Sequence, residues 1–263
     1  MTFGAAEGIR VVSARDVEPA EVPGHSFRVL ADGATTGGAY SLTDAVSPVG
    51  AAVPPHVHDD SVECFFVVGG EYRLTVSGQT RVAGPGDFQL VPRGAPHEFE
   101  VVGQEPGRAF VLFTPAGFEQ VFRQMPEVFG TEGEPGPLWQ QLNARYGTRL
   151  LDNRTLSGPS GLLVPDDGAT RTGQLTTLAT PAETRTGLTI SVRSDPVPGT
   201  VWRLGRGTTA VWTVSGRYRF ETADCSFTVG EGEFVSLADA PPARAIALTP
   251  GSQALFLRLR EQE

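Results

Sequence analysis

The feature that most constrains the fold is an internal repeat at a fixed offset of 146 residues. The segment VVGGEYRL (67–74) aligns with TVSGRYRF (213–220), and GPGDF (84–88) aligns with GEGEF (230–234). The repeated identities pair Gly70, Tyr72, Arg73, Gly84, Gly86, Phe88 and Pro96 with Gly216, Tyr218, Arg219, Gly230, Gly232, Phe234 and Pro242. Because a gapless match of turn and strand residues indicates a repeated structural unit, we expect two copies of one β-domain.

The abundance of turn-forming residues indicates the class of this domain. The chain has 32 Gly and 21 Pro, scattered along 263 residues of which 40% are hydrophobic. Short strands joined by tight turns need such residues, and the length suffices for a sizeable core. We therefore predict an all-β protein.

A segment between the two copies has helical periodicity instead. Phe118, Val121, Phe122 and Met125 lie at positions i, i+3, i+4 and i+7, on one face of a helix. Residues 138–147 continue with four-residue spacing, and 131–137 form a turn-rich break between the two predicted helices. We predict an N-terminal domain at 1–115, a helical linker at 116–155 and a C-terminal domain at 156–263.

Charge and composition exclude several classes of function. The net charge is −9, and all 21 positively charged side chains are Arg. An acidic chain without a basic stripe is a poor candidate for binding nucleic acid or an anionic membrane. No segment approaches the length of a membrane span, and the two cysteines do not suggest a disulfide framework. We expect a cytoplasmic protein with a small-molecule partner, and homodimerisation stays open.

Four side chains are candidates for a metal site. His56 and His58 share a face at i and i+2, and period-two alternation turns Glu63 and His97 inward among apolar residues. A closed barrel would bring all four together. Burying a carboxylate is costly unless it is paired or coordinated. The donor set suits one divalent transition metal, namely Fe, Mn, Ni, Co, Cu or Zn, better than Ca or Mg.

The spacing of these residues resembles the two motifs of the cupin family. The first is Gly50, five residues, His56-Val57-His58, four residues, Glu63, six residues and Gly70; the second is Gly86, five residues, Pro92-Arg93-Gly94, two residues and His97. Val101 replaces the final Asn of the second motif. The resemblance implies tandem cupin barrels with His56, His58, Glu63 and His97 as metal ligands.

Residues 25–155 more narrowly resemble bacterial cupins of the quercetin 2,3-dioxygenase type. This resemblance implies a dioxygenase that uses O₂ to cleave a flavonol, enol or polyphenolic substrate. Glu63 would then be both a ligand and the catalytic proton acceptor, with a pKa raised by burial and lowered by the metal. Phe65 and Phe99 share faces with ligands, so they are candidates for the wall of a substrate pocket, with barrel core as the alternative. His25 has no partner in the sequence pattern and is assigned no role.

The second copy has lost every ligand. At the 146-residue offset, Trp202, Leu204, Thr209 and Ala243 replace His56, His58, Glu63 and His97. The C-terminal barrel is therefore expected to be structural. Two alternatives for the first barrel stay open: a metal-dependent isomerase, cyclase or dehydratase that does not use O₂, and a non-catalytic small-molecule-binding module.

Overall fold

Alternating apolar and polar residues form strands along both halves of the chain, as expected for an all-β protein. The structure, a computed structural model, describes residues 8–129, 137–152, 157–164, 175–204, 208–237 and 243–259. Pro242 of the repeat and residues 131–136 of the predicted turn lie outside the described residues. Among the described residues, no helix is long and apolar enough to cross a membrane.

The strands in these residues are, in chain order, β1 (Arg10–Ser13), β2 (Ala20–Val22), β3 (His25–Ala31), β4 (Ser41–Ser47), β5 (Ala52–His58), β6 (Val62–Gly69), β7 (Glu71–Val76), β8 (Gln79–Ala83), β9 (Phe88–Val91), β10 (His97–Val102), β11 (Gly107–Thr114), β12 (Thr148–Leu150), β13 (Leu162–Val164), β14 (Leu175–Ala179), β15 (Leu188–Asp195), β16 (Val201–Leu204), β17 (Thr208–Ser215), β18 (Arg217–Glu221), β19 (Ser226–Gly230), β20 (Glu233–Ser236), β21 (Ala243–Ala247) and β22 (Ser252–Leu259). The helices are α1 (Glu119–Phe129), α2 (Pro137–Arg145) and α3 (Pro181–Thr184), with a 3₁₀ turn at Ala14–Asp16.

The strands form four antiparallel sheets, two in each of two compact units. The first barrel, residues 18–166, has sheets of order β13-β9-β6-β11-β4-β3-β2 and β12-β5-β10-β7-β8. The second barrel, residues 1–17 with 167–263, has sheets of order β1-β20-β17-β22-β15-β14 and β16-β21-β18-β19. The prediction of an all-β fold with two tandem barrels is confirmed.

The division into units differs from the predicted domain boundaries of 1–115, 116–155 and 156–263. Helices α1 and α2 lie within the first barrel, because α1 packs its apolar side on β2, β3 and β4. Phe122 stacks on Phe27 of β3 at a centroid distance of 4.8 Å. Phe118 of the predicted stripe precedes the first helical residue.

Edge strands are exchanged between the two copies of the repeat. In the second barrel β1 pairs with β20, with Arg10 opposite Ser236. In the first barrel β13 pairs with β9, with Leu162 opposite Leu90, the residue 146 positions before Ser236. The strand that precedes each copy in sequence therefore completes the sheet of the other copy.

The repeated glycines reflect turns that exclude a side chain. Gly70 joins β6 to β7 with φ of +68°, and a Cβ there would lie 2.5 Å from the carbonyl oxygen of Pro106. Gly216 holds the same position in the second barrel with φ of +76°. Because only glycine adopts this conformation readily, both copies keep it.

Candidate metal centre

Three strands bring the four predicted ligands to one end of the first barrel. His56 and His58 lie on β5, which pairs with β10 so that His56 is directly opposite His97. Glu63 lies near the start of β6, in the other sheet. The candidate ligand atoms of these four buried residues all lie within 4.8 Å of one another.

Hydrogen bonds fix the orientation of each imidazole ring. Nδ1 of His56 donates to the Pro54 carbonyl oxygen and Nδ1 of His97 to the Ala95 carbonyl oxygen, both at 2.9 Å. Nδ1 of His58 is 2.8 Å from the hydroxyl oxygen of Thr148, on β12. A nitrogen that contacts a carbonyl must carry the proton, so in the neutral rings of His56 and His97 the Nε2 lone pair is free for a ligand.

Glu63 completes the cluster through one carboxylate oxygen. Its Oε2 lies 2.8 Å from Nε2 of His97 and 3.3 Å from Nε2 of His58. The contact with His58 lacks hydrogen-bond geometry, which leaves this buried Nε2 without a hydrogen-bond partner among the described residues. Because Nδ1 of His97 already carries a proton, the contact between Nε2 and the carboxylate needs either a second ring proton on Nε2 or a metal cation between the two atoms.

The surrounding protein favours neutral rings at His56 and His58 and an ionised carboxylate at Glu63. Burial lowers the pKa of His58, and it lowers the pKa of His56 well below 6.5, assisted by the other two histidines. Burial alone would raise the pKa of Glu63, but the close contacts with Nε2 of His58 and His97 outweigh it and lower that pKa. The sequence prediction assigned this lowering to the metal, whereas the histidines already cause it.

The donor set therefore fits a divalent transition metal. Three ring nitrogens and one carboxylate oxygen converge in a buried space, and an imidazole nitrogen there has no hydrogen-bond partner within the described part of the chain. Imidazole with carboxylate suits Fe, Mn, Co, Ni, Cu or Zn, and these ligands alone do not select among them.

A cavity of about 470 Å³ opens from the cluster into the first barrel. His56, His58 and Glu63 form part of its wall, and most of the remaining wall is apolar. Phe65 and Phe99, predicted as pocket residues, both line it and contact each other at a centroid distance of 5.7 Å. Its size is within the range of small-molecule sites. That these rings bind a substrate stays a prediction.

The helices supply part of the cavity wall. Phe118, Phe122, Met125 and Phe129 line it from α1 and the residue before that helix, and Trp139, Gln140 and Asn143 line it from α2. Phe118 also contacts the His58 ring at 4.8 Å. The helical segment therefore encloses the site, a role that its predicted function as a linker did not include.

The second barrel offers no equivalent cluster within its described residues. Trp202, at the position of His56, packs against Tyr218 and Phe256 at centroid distances of 5.4 and 4.4 Å. Leu204 and Ala243 are buried apolar residues in place of His58 and His97. The side chain of Thr209, at the position of Glu63, lies outside the described residues. The space around Trp202 is therefore occupied by aromatic rings and by the guanidinium of Arg193, whose Cζ is 5.2 Å from the Trp202 ring centroid.

Sequence reasoning missed several residues that border the site. His25, which was assigned no role, lines the cavity together with Ser47 and Tyr72. Thr148 orients His58 from 90 residues away. The internal repeat drew attention to Tyr72, because Tyr218 recurs at the same position, but it indicated a structural role for this residue. His25 and Ser47 approach each other only through the pairing of β3 with β4, which no local pattern reveals.

Comparison with known proteins supports this assignment of the fold. A model of the cupin domain matches residues 45–113, which contain all four members of the cluster. The quercetin 2,3-dioxygenase of Bacillus subtilis (strain 168) is 33% identical over 73 residues, covering 28% of this chain and 22% of that protein. The quercetin 2,3-dioxygenase of Aspergillus japonicus is 32% identical over 104 residues, covering 36% of this chain and 29% of that protein.

Structural similarity extends over both barrels. A variant of oxalate decarboxylase from Bacillus subtilis matches with a TM-score of 0.67 and 13% identity, covering 99% of this chain and 79% of that one. At this identity the likeness establishes the fold alone. The matched segments span less than a third of each dioxygenase. The predicted resemblance to cupins of the quercetin dioxygenase type is confirmed, while the reaction and substrate belong to the proposal that follows.

Proposed function

We propose that this chain of two cupin barrels is a mononuclear metal-dependent dioxygenase that acts on a flavonol or a related enol of polyphenolic or polyketide type. One observation carries the proposal: a four-residue cluster suited to a transition metal lies at one end of a largely apolar cavity of about 470 Å³. An enol on an aromatic framework matches both parts of this site, because its oxygen can bind a metal ion and its aromatic body can contact the apolar wall.

His56, His58, Glu63 and His97 would hold one metal ion in the first barrel. When bound, the metal supplies Lewis-acid polarisation of a substrate oxygen and, for a redox-active ion, a path for electrons to O₂. The hydrogen bonds to Nδ1 of the three histidines hold the rings in place before the ion arrives. Such preorganisation reduces the reorganisation that binding and catalysis require.

Glu63 is the candidate proton acceptor. Its carboxylate lies on the cavity wall, and the neighbouring histidines keep it ionised by lowering its pKa. An enol hydroxyl at this end of the cavity can transfer its proton to the carboxylate, which leaves the enolate that is more easily oxidised. The aromatic pair Phe65 and Phe99 would hold the body of the substrate in a water-poor space.

The cavity wall favours this substrate class over a small dianion such as the oxalate of the structurally similar decarboxylase. Among the described residues, the ionisable side chains on the wall are His25, His56, His58, Glu63 and Tyr72, and none is an arginine. A second carboxylate would find no guanidinium partner there, and burying an unpaired charge is costly. A neutral aromatic body meets no such cost.

Oxygen uptake tests the proposal. The protein is loaded with each of the six metals in turn, and O₂ consumption is followed with 3-hydroxyflavone and related enols. We expect uptake of one O₂ per flavonol consumed with at least one metal, and its loss in His97→Ala. Equal turnover under nitrogen would instead identify an isomerase, cyclase or dehydratase. Absence of turnover with every metal and enol would refute the proposal.

A further inference from the structure

A group of polar side chains lies at the end of the cavity remote from the metal cluster. Nδ1 of His25 is 3.0 Å from the hydroxyl oxygen of Ser47, and both residues line the cavity. Ser47 is directly opposite Gly107 in the pairing of β4 with β11. The phenol of Tyr72 lies over this glycine, since a Cβ on Gly107 would be 2.6 Å from the Tyr72 hydroxyl oxygen. We call Tyr72, Ser47 and His25 the distal polar group.

Strand register places this group far from Glu63. Glu63 is opposite Phe113 on β11, whereas Ser47 is opposite Gly107, which lies six residues before Phe113 on the same strand. At about 3.4 Å per residue, the two levels are about 20 Å apart along the strand. In the facing sheet Tyr72 is opposite Val101, four residues beyond His97 on β10. Both sheets therefore run from the metal cluster to the distal polar group.

The wall between the two ends is apolar. Phe65 and Val111 are opposite each other one level beyond Glu63, and Ala109, Ala45 and Phe27 form the next level. Along the two sheets, a ligand that spans the cavity thus meets polar side chains only at its two ends, while α2 adds Gln140 and Asn143 to the wall.

The repeat shows what is unusual about Tyr72. In the second barrel the hydroxyl of Tyr218 donates to Oδ2 of Asp195 at 3.3 Å, and Asp195 is fully buried. Strand register gives the position of Asp195 in the first barrel to Ser47, because Asp195 is opposite Ser252, and Ser252 approaches Gly216 as Gly107 approaches Gly70. Within the described residues the hydroxyl of Tyr72 has no hydrogen bond, although it lines the cavity and is 3% exposed. One tyrosine is held by the protein, and the other is available to a ligand.

The distal polar group carries no net charge. The carboxylate of Asp44 is close enough to raise the pKa of Tyr72 further than burial alone does. Both Asp44 oxygens are 2.9 Å from Arg108, however, and Asp44 is not part of the cavity wall. Burial lowers the pKa of His25, so this ring is neutral at neutral pH. Hydroxyl and imidazole groups of this kind bind a neutral hydroxyl or carbonyl rather than an ion.

We propose that the distal polar group binds a neutral hydroxyl or carbonyl at the far end of an elongated aromatic substrate whose enol end lies at the metal cluster. The proposal rests on the function proposed above. Tyr72 and Ser47 supply the hydrogen bonds, and His25 positions the Ser47 hydroxyl. The substrate class is thereby narrowed to extended polyphenols with polar groups at both ends.

Two probes that differ in one hydroxyl test this inference. Zn²⁺-loaded protein under nitrogen, where no O₂ is available for turnover, is titrated with 4′-phenyl-3-hydroxyflavone and with 4′-(4-hydroxyphenyl)-3-hydroxyflavone, whose additional ring lengthens the flavonol toward the distal polar group. The two share the chelating enol, and only the second has a hydroxyl at the opposite end. Since a neutral hydrogen bond contributes modestly to affinity, we expect about three- to tenfold tighter binding of the second probe.

Variants locate the source of this preference. Tyr72→Phe and Ser47→Ala should each reduce the ratio of the two affinities while leaving the affinity for 4′-phenyl-3-hydroxyflavone within about twofold. Tyr218→Phe is the matched control, because it removes the same hydroxyl from the second barrel and should leave the ratio unchanged. Bound Zn²⁺ is measured in every variant.

The outcomes separate this inference from the proposed function. The proposed role of the distal polar group would be wrong if wild-type protein bound the two probes equally well. It would also be wrong if the affinity ratio were unchanged in both Tyr72→Phe and Ser47→Ala. Either result would leave the proposed function intact. If neither elongated flavone binds to protein that retains Zn²⁺, this inference is wrong, and if 3-hydroxyflavone does not bind either, the flavonol class of the proposed function is wrong with it.

Discussion

Nε2 of His97 lies 2.8 Å from Oε2 of Glu63, although these residues are 34 positions apart and belong to different sheets. The contact joins the two sheets at the end of the barrel where the histidines of β5 also converge. Because Nδ1 of His97 already donates to a carbonyl, the pair requires a second ring proton or a metal cation. The arrangement is therefore better suited to holding a cation than to remaining empty.

Metal content provides the first prediction. Wild-type protein should bind one equivalent of divalent transition metal, and His97→Ala should reduce affinity by at least about tenfold because a ligand is lost. Elemental analysis after dialysis measures the content. His25→Ala is the matched control, because His25 is the one histidine of the four outside the cluster. Equal metal content in His97→Ala and His25→Ala would contradict the assignment of the site.

Acid should destabilise the metal-free protein. The pKa values of His56 and His58 are lowered on folding, so below about 6.5 the unfolded chain binds more protons and stability falls. The lowered pKa of Glu63 acts in the same direction below 4.5, since its contribution is present above that value and is lost as pH falls through the folded pKa.

Urea unfolding between pH 8 and pH 5 measures this dependence. We expect the free energy of unfolding to fall by up to about 1.4 kcal/mol per pH unit for each histidine that titrates. His56→Gln should show a shallower slope, because one such group is removed. A profile that is flat below pH 6.5 would show that the histidines are not held neutral.

The close approach of Tyr72 to Gly107 predicts a size limit at that glycine. Gly107→Ala should destabilise the protein by about 1–3 kcal/mol, because the new Cβ overlaps the buried phenol ring. The cost should be smaller in a Tyr72→Leu background, which a double-mutant cycle measures. Gly84→Ala is the control, since no atom lies within 4 Å of a Cβ at that position. Equal costs at the two glycines would argue against the position of the Tyr72 ring.

The second barrel contains a buried ion pair whose loss should be costly. Asp195 is fully buried. It accepts a hydrogen bond from Nε of Arg193 at 2.8 Å and another from the hydroxyl of Tyr218 at 3.3 Å. Asp195→Ala should lower the free energy of unfolding by about 3–5 kcal/mol, because both partners lose their acceptor inside the protein.

The exposed pair of Asp59 and Arg149 is the matched comparison for this prediction. Its atoms are 2.7 Å apart, but both side chains are substantially exposed to solvent. Asp59→Ala should therefore cost no more than about 1 kcal/mol. A small effect of Asp195→Ala, similar to that of Asp59→Ala, would mean that water reaches Asp195 in solution.

The four residues of the candidate metal cluster could be predicted from the sequence more completely than the wall of the cavity. His56, His58, Glu63 and His97 were predictable because alternation fixes the face of each residue and the spacing places them on neighbouring strands. The pairing of His25 with Ser47 depends on the register of β3 against β4, which no local periodicity encodes.

The role of Tyr72 was partly visible in the repeat. Its conservation as Tyr218 indicated packing, and both rings are indeed buried. The difference lies in the partner, since strand register places Ser47 in the first barrel where the second has Asp195. The fixed 146-residue offset does not reveal this equivalence, because the register of these strands differs between the two copies outside the matched segment.

The exchange of β1 and β13 has a consequence for dividing the chain. A fragment that carries one copy with only its own leading strand would lack the edge strand that completes its large sheet, and would carry a strand that pairs in the other barrel. Expression of either barrel alone would therefore require the leading strand of the other copy, so the two halves of the sequence are not separable at the boundary between the repeats.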